Sequence, residues 1–370
     1  MPAKEGPPVR KDSSAAPLLA VVGGGAVGLI CALAAVDDGW RVRVYDAGPR
    51  RRAAQVAGGM LGCLGEARPG EPELLAASAR SVAHWPALLR RLGDPSVAAA
   101  EHTLLVAGDA ADRAYLDEAM TFAREALPDA AVEELSAAAL RGLELGVARL
   151  PIGGYRLASE GAVDNRRLLA ALRAALTAAG AELIDARVTD LADVAADETL
   201  VAAGVDSGAV LPGGLDGLRG EKGEVLRLRR TPWSVAPPQH VIRARWRGRN
   251  VYLVPRADGV VVGATQYEAL DGQDRGPQVG GVADLLADAC EVYPGLRTYE
   301  LAEVAAGIRP MSADGLPLVR RVDEGVLVAA GHGRNGIALS PGTARRVRGL
   351  LGAGAHGERA RSHREERSAP

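Results

Sequence analysis

Apolar and polar residues follow one another in blocks along this chain, and the period of each block predicts an element. Leu18–Val22 is a short, wholly apolar run, the length of a buried strand. Glycines punctuate residues 23–28, and apolar residues then recur at helical spacing over 26–38. "RVRVY", 41–45, alternates strictly and predicts a second strand ending at Asp46. Amphipathic helices are predicted over 73–92, 110–126 and 164–180, the last opening with a capping candidate in Val163-Asp164-Asn165. A short strand over 200–203 ends at Gly204. Between about 218 and 266 the period drops to two in "EVLRLR", "HVIRARW", "NVYLVPR" and "GVVVGAT". A helix over 281–293, a strand over 300–306 and a last core strand over 325–330 complete the pattern. Residues 1–16 are polar and proline-rich, and 353–370 are charged without periodicity; both read as disordered. No internal repeat stands out.

The fold class is therefore α/β with mixed α+β character: a Rossmann-like portion is interrupted by a β-rich portion, and the chain returns to the first at its end. At 370 residues the chain can bury a core of two lobes, and 48% hydrophobic residues mark it as globular. A formal charge of -2 leaves no basic field for nucleic acid or a membrane surface. Aromatics at 3% leave no stacking platform for single strands. The uncharged run 18–36 raises the question of a signal or membrane segment, but clustered glycines interrupt it and Asp37-Asp38 closes it. Cys31, Cys63 and Cys290 are isolated and lack metal-ligand spacing, which points to a reduced, cytoplasmic protein. His332 has no partner ligands at metal spacing, so no metal is expected.

"VVGGGAVGL" holds Gly23, Gly25 and Gly28 in G-x-G-x-x-G spacing between a predicted strand and a predicted helix. Glycines there permit a tight turn, close approach of backbone to a pyrophosphate, and close helix–strand packing. The helix N-terminus at Ala26 and Val27 offers unpaired N–H groups to phosphates. Asp46, about twenty residues on, can accept both hydrogen bonds of a ribose diol. This fingerprint is compatible with NAD or FAD and does not choose between them.

Several separated segments give the chain a wider resemblance. They are "VVGGGAVGL", "AGGMLGCLGEARPGE", "EGAVDNRRLLAALRAAL", "KGEVLRLR", "NVYLVPRADGVVVGAT", "AGIRPMSADGLPLV" and "GHGRNGIALSP". In this order they resemble the FAD-dependent amine oxidases of the D-amino-acid oxidase group, and within them the glycine oxidases of thiamine biosynthesis, over about residues 18–350. The resemblance implies non-covalent FAD, since no cysteine lies at an attachment position near 310–320. It divides the chain into a discontinuous FAD-binding domain (17–80, 151–214, 304–352) and a substrate domain with an antiparallel sheet (81–150, 215–303). It places Ala57, Gly58, Gly59 and Met60 beside the flavin ring, where small residues leave room for a flat group. It adds Val188 and Gly204 to the cofactor set. It puts Gly331, Gly333, Asn335, Gly336 and Ile337 at the pyrimidine end of the flavin, where N–H groups opening a helix would stabilise negative charge. Asn335 is expected to hold an unusual backbone conformation there.

The same resemblance assigns Arg309 to the substrate carboxylate, Tyr252 to its support, and Arg334 to the substrate side. Arginine suits the first task because its planar fork pairs bidentately with a carboxylate. The implied reaction is hydride transfer from a small amino acid to the flavin, giving an imine that hydrolyses to a keto acid, with dioxygen reduced to hydrogen peroxide. A sarcosine- or D-amino-acid-type oxidase, or a dehydrogenase using another acceptor, are the alternatives. A homo-oligomer, often a tetramer, is also implied. Met311, Arg320 and Asp206 depart from the family pattern, and Met311 is expected to alter the pocket beside Arg309.

Overall fold

The computed structural model describes residues 16–149, 151–269 and 274–366, with side chains described to 352. Of the expected leader, all but Ala16 lies outside the described residues. Two sheets organise the rest. The first has six strands in the order Leu318–Asp323, Val326–Ala330, Glu198–Val201, β1 (Leu18–Val22), β2 (Arg41–Tyr45) and Glu182–Ile184. All its pairs are parallel except the edge hairpin formed by the first two. Helix α1 (Ala26–Asp37) is apolar nearly all round, and packs on this sheet beneath Asn165–Ala178 and the C-terminal helix Gly336–Glu366. Leu29 and Leu33 are buried there, each worth about 1.5–3 kcal/mol.

The second sheet has nine strands, ordered Tyr267–Ala269, Arg219–Arg229, Gly259–Gly263, Arg249–Arg256, Val241–Trp246, Thr103–Ala107, Gly153–Leu157 and Val132–Ser136, with Glu300–Met311 also paired to Arg219–Arg229. It is antiparallel except where Val241–Trp246 meets Thr103–Ala107. Alternation sorts its faces. Ile242, Trp246, Leu253 and Val262 pack against the helix Val279–Val292, while Arg243, Arg245 and Tyr252 take the opposite face.

Four expectations change. The helix read over 73–92 is two helices, Pro72–Val82 and Trp85–Leu92. Pro86 cannot donate to the carbonyl one turn back and its ring would clash there, so the helix restarts. The expected boundary at 304 cuts the continuous strand Glu300–Met311, and Gly153–Leu157, just after 151, joins the larger sheet. A strand's own pattern does not say which sheet it joins. The tail expected to be disordered from 353 is helical to Glu366, in a segment rich in the strong helix formers alanine and arginine.

Candidate active site

β1 ends at Gly23, whose φ of +126° favours glycine; a Cβ there would stand 2.3 Å from the Ala202 carbonyl oxygen. Gly28 is required by packing, because its Cβ would lie 1.9 Å from the Gly23 carbonyl oxygen. Gly25 differs. It has φ −81°, and its Cβ would meet nothing within 4 Å. The chain itself does not need glycine at 25, but anything laid against the N-terminus of α1 does.

Asp46 follows β2 and is buried. It accepts hydrogen bonds from Arg52 Nε (3.1 Å), Arg173 Nη1 (2.9 Å) and the Gly48 N–H (3.0 Å), and Arg52 Nη2 also pairs with it. The sequence reading missed both arginines. Arg52 stands six residues on and Arg173 comes from a distant helix.

Segment 54–59 is held by Asn165, whose amide donates to the carbonyls of Ala54 (2.6 Å) and Gln55 (3.0 Å). Arg256 donates to Gly58 O (2.9 Å), and burial brings its pKa down to about 10. The Tyr252 ring lies against Gly58, whose Cβ would approach it to 2.9 Å. Burial pushes the Tyr252 phenol up, against the opposing pull of Arg309 and Arg243. Its hydroxyl has no hydrogen-bond partner among the described residues.

Arg309 Nη1 donates to Glu221 Oε1 at 2.9 Å, and both terminal nitrogens lie 3.4 Å from Thr265 O. Arg334 Nε donates to Glu66 Oε2 (2.9 Å) and its Nη2 to Glu71 Oε2 (2.6 Å). Arg243 Nη1 takes the other Glu66 oxygen at 2.6 Å. Burial works against the Glu66 carboxylate, but Arg243 and Arg334 outweigh it and bring its pKa below the usual range. Glu160, fully buried, accepts the N–H groups of Cys63 (2.7 Å), Leu64 and Gly65 (3.1 Å), and so fixes the turn that presents Glu66.

The last core strand leaves through Gly331 (φ +74°) and Gly333 (φ +57°) into the turn Gly333–Asn335 and the helix from Gly336. These two glycines take the left-handed conformations. Asn335 does not, because Arg247 alone among the described non-glycine residues has positive φ. His332 is buried, bonds Thr343 Oγ1 at 2.8 Å, and has its pKa lowered by burial to about 4.

A single cavity of about 400 Å³ connects these parts. Gly23, Gly25, Ala26, Val27, Asp46, Ala57, Gly58, Gly59, Met60, Val188 and Gly204 line one stretch of it; Gly333, Asn335, Gly336 and Ile337 line another; Tyr252, Arg309 and Arg334 a third. Gly28 and Gly331 lie behind the wall. So does Met311, which packs toward Gly333 and does not line the cavity beside Arg309. Asp206 lines the cavity and pairs with Arg51 at 3.0 Å. Arg320 is exposed on the edge strand, where charge discourages pairing with another chain. Besides Arg52 and Arg173, sequence reasoning missed Glu66, Glu221 and Arg243. Alternation in "HVIRARW" puts Arg243 and Arg245 on one face, a pattern indistinguishable from a solvated face.

The cavity fits a bound dinucleotide, since the opening at Gly25 meets the helix N-terminus, where the first N–H groups lack intrahelical partners. Among the described residues, no group of histidine, cysteine and carboxylate side chains could hold a metal, and no helix is long and apolar enough to cross a membrane.

Comparisons with known proteins agree. The chain is 31% identical over 362 residues to the glycine oxidase of Pseudomonas aeruginosa, covering 90% of this chain and 93% of that protein. It is 30% identical over 234 residues to the bifunctional protein ThiO/ThiG of Nostoc sp., covering 59% of this chain. The match takes in only 35% of that relative's length. The crystal structure of glycine oxidase from Geobacillus kaustophilus superposes with a TM-score of 0.81 at 28% identity, over 91% of this chain and 95% of that one. The model of the FAD dependent oxidoreductase family matches residues 19–350, and the chain belongs to that family.

Proposed function

We propose that this FAD-dependent oxidoreductase oxidises a small amino acid of the glycine class to its imine, which hydrolyses to the keto acid, with dioxygen as the final acceptor and hydrogen peroxide as its product. The observation that carries this reading is the convergence of Arg309 and Tyr252 on the cavity that the dinucleotide loop opens into. FAD, when bound, supplies the acceptor for the hydride that leaves the α-carbon. Arg309 fixes the substrate carboxylate, and Glu221 holds the guanidinium in place from behind. The Tyr252 hydroxyl donates to the same carboxylate. Kept protonated by its burial, it remains a donor across the working pH range. Holding the α-carbon in register is the main contribution of these residues, and orientation of this kind is worth up to about 7–11 kcal/mol. Ala26 and Val27, at the N-terminus of α1, receive the pyrophosphate, and Asp46 receives the ribose diol. The segment from Gly333 to Ile337 offers N–H groups to the far end of the flavin.

A place in thiamine biosynthesis is supported by the name of a relative from Rhizobium etli, a putative thiamine biosynthesis oxidoreductase that is 32% identical over 335 residues, covering 88% of this chain and 94% of that protein. A cytoplasmic location fits the three free cysteines, of which Cys31 and Cys63 are buried. A homo-oligomer remains part of this proposal. The test is the anaerobic visible spectrum of the purified protein before and after glycine. Bleaching of an oxidised-flavin spectrum that air restores supports the reading. A flavin that stays oxidised with glycine and every other small amino acid defeats it.

A further inference from the structure

The wall beyond Tyr252 carries more positive charge than a monocarboxylic amino acid uses. Arg243 stands directly across the ladder from Tyr252, and Arg245 directly across from Asn250, so all four side chains share the cavity face. Arg243 and Arg245, two residues apart on that face, are separated by roughly 6–7 Å of strand. Glu221 belongs to Arg309, and Asp112 lies 3.8 Å from Arg245, whose buried Nε has no hydrogen-bond partner. Glu66 and Glu71 serve Arg243 and Arg334. Arg68 also lines the cavity. Its side chain has neither a hydrogen bond nor an ion pair among the described residues, although its charge reaches Glu66. Glu160, whose charge also reaches Arg243, accepts three backbone N–H groups, so among Arg68, Arg243 and Arg334, on the side of Tyr252 away from Arg309, only the Arg68 guanidinium lacks a carboxylate partner. A guanidinium without a carboxylate partner, facing a partly enclosed cavity, can bind an anion.

We infer that the substrate is an amino acid with a second carboxylate: the α-carboxylate sits on Arg309 and Tyr252, and the second on Arg243 and Arg68. This rests on the amino-acid oxidase reading above and narrows its substrate class. Two anchors at opposite ends of one small molecule would fix the α-carbon more firmly than one. The outer anchor also selects against neutral side chains, because a group that leaves Arg68 unpaired forgoes a charge-assisted bond.

The test uses the FAD-loaded protein and non-oxidisable probes: acetate against malonate, succinate and glutarate. Binding is read from the shift of the oxidised-flavin spectrum and from the thermal midpoint. At least one dicarboxylate should bind 10-fold or more tightly than acetate, and high salt should shrink that ratio. Arg68→Gln, which disturbs no described ion pair, should bring the ratio to within about 3-fold of unity; Arg243→Gln should do the same. Dicarboxylates that bind no better than acetate, while glycine still bleaches the flavin, overturn the inference and leave the oxidase reading standing. A dicarboxylate advantage that survives both substitutions also overturns it. If no carboxylate perturbs the flavin and no amino acid bleaches it, the oxidase reading itself falls and the inference with it.

Discussion

Exchanging Gly25 for alanine should separate folding from cofactor binding. The backbone at 25 has φ −81° and ψ 180°, a conformation alanine adopts freely, and the added Cβ meets nothing within 4 Å. Two small effects on the FAD-free protein oppose each other. Alanine narrows the unfolded ensemble, worth about 0.4–1 kcal/mol. Alanine is also a poorer N-cap than glycine, at a cost of similar size. The stability of the FAD-free protein should therefore change by less than about 1 kcal/mol. The bound pyrophosphate meets that methyl directly, and overpacking at a close contact costs about 1–3 kcal/mol, or ~5–150-fold in Kd. Gly28→Ala is the control. Its Cβ would lie 1.9 Å from Gly23 O, and restoring an ordinary contact of about 3.5 Å would push α1 off β1 by roughly 1.5 Å. That variant should lose ~3 kcal/mol without any cofactor present. Urea unfolding of FAD-free protein gives the first quantity, and titration with FAD followed by flavin fluorescence gives the second. A Gly25→Ala protein that binds FAD as the parent does would refute the placement of the pyrophosphate. One that is destabilised as much as Gly28→Ala would refute the claim that the space is open.

Glu66→Gln removes the charge shared by Arg243 and Arg334, and should cost about 3 kcal/mol in urea unfolding, because buried Arg243 loses its counter-ion and Arg334 is left with Glu71 alone. Tyr252→Phe should leave unfolding within ~0.5 kcal/mol, since the hydroxyl bonds no described residue, while substrate binding weakens by about 1 kcal/mol, or ~5-fold in a flavin-reduction titration. His332 should make stability depend on pH: its folded pKa of about 4 lies below the unfolded value, so its contribution is complete above about pH 6.5 and is lost as pH falls toward 4. The loss should approach ~3 kcal/mol by urea unfolding across that window, and His332→Gln should flatten the curve.

The dinucleotide half of this fold was legible because each of its signals is local. A strand, a glycine turn, an apolar helix and an acid fall within thirty residues, and the structure places them as a βαβ unit. The second sheet was legible only in its middle. "HVIRARW" and "NVYLVPR" alternate because one face meets a helix and the other a polar cavity. The strand Thr103–Ala107 is buried on both faces, so its apolar run carries no period. Arg309, Tyr252 and Arg334 could be singled out by resemblance, but their partners could not. Glu221 meets Arg309 across a ladder between strands about ninety residues apart, and Glu66 reaches Arg243 and Arg334 from a short turn. Such pairings are set by register and by how loops fold back, which hydrophobic pattern does not encode.

The interleaving of the first sheet has a consequence for how the protein is made. β1 leaves the ribosome well before its sheet can be completed, and its neighbour Glu198–Val201 is flanked on the other side by Val326–Ala330. That last parallel strand emerges about 300 residues after β1, which at ~5–20 residues per second is ~15–60 s of synthesis. Until then one edge of Glu198–Val201 is unpaired, and α1 lacks the C-terminal helix that covers it. A nascent chain in this state exposes both a strand edge and an apolar helix. It is a natural client for chaperones, and synthesis that stalls before Val326 would yield aggregates rather than a stable fragment.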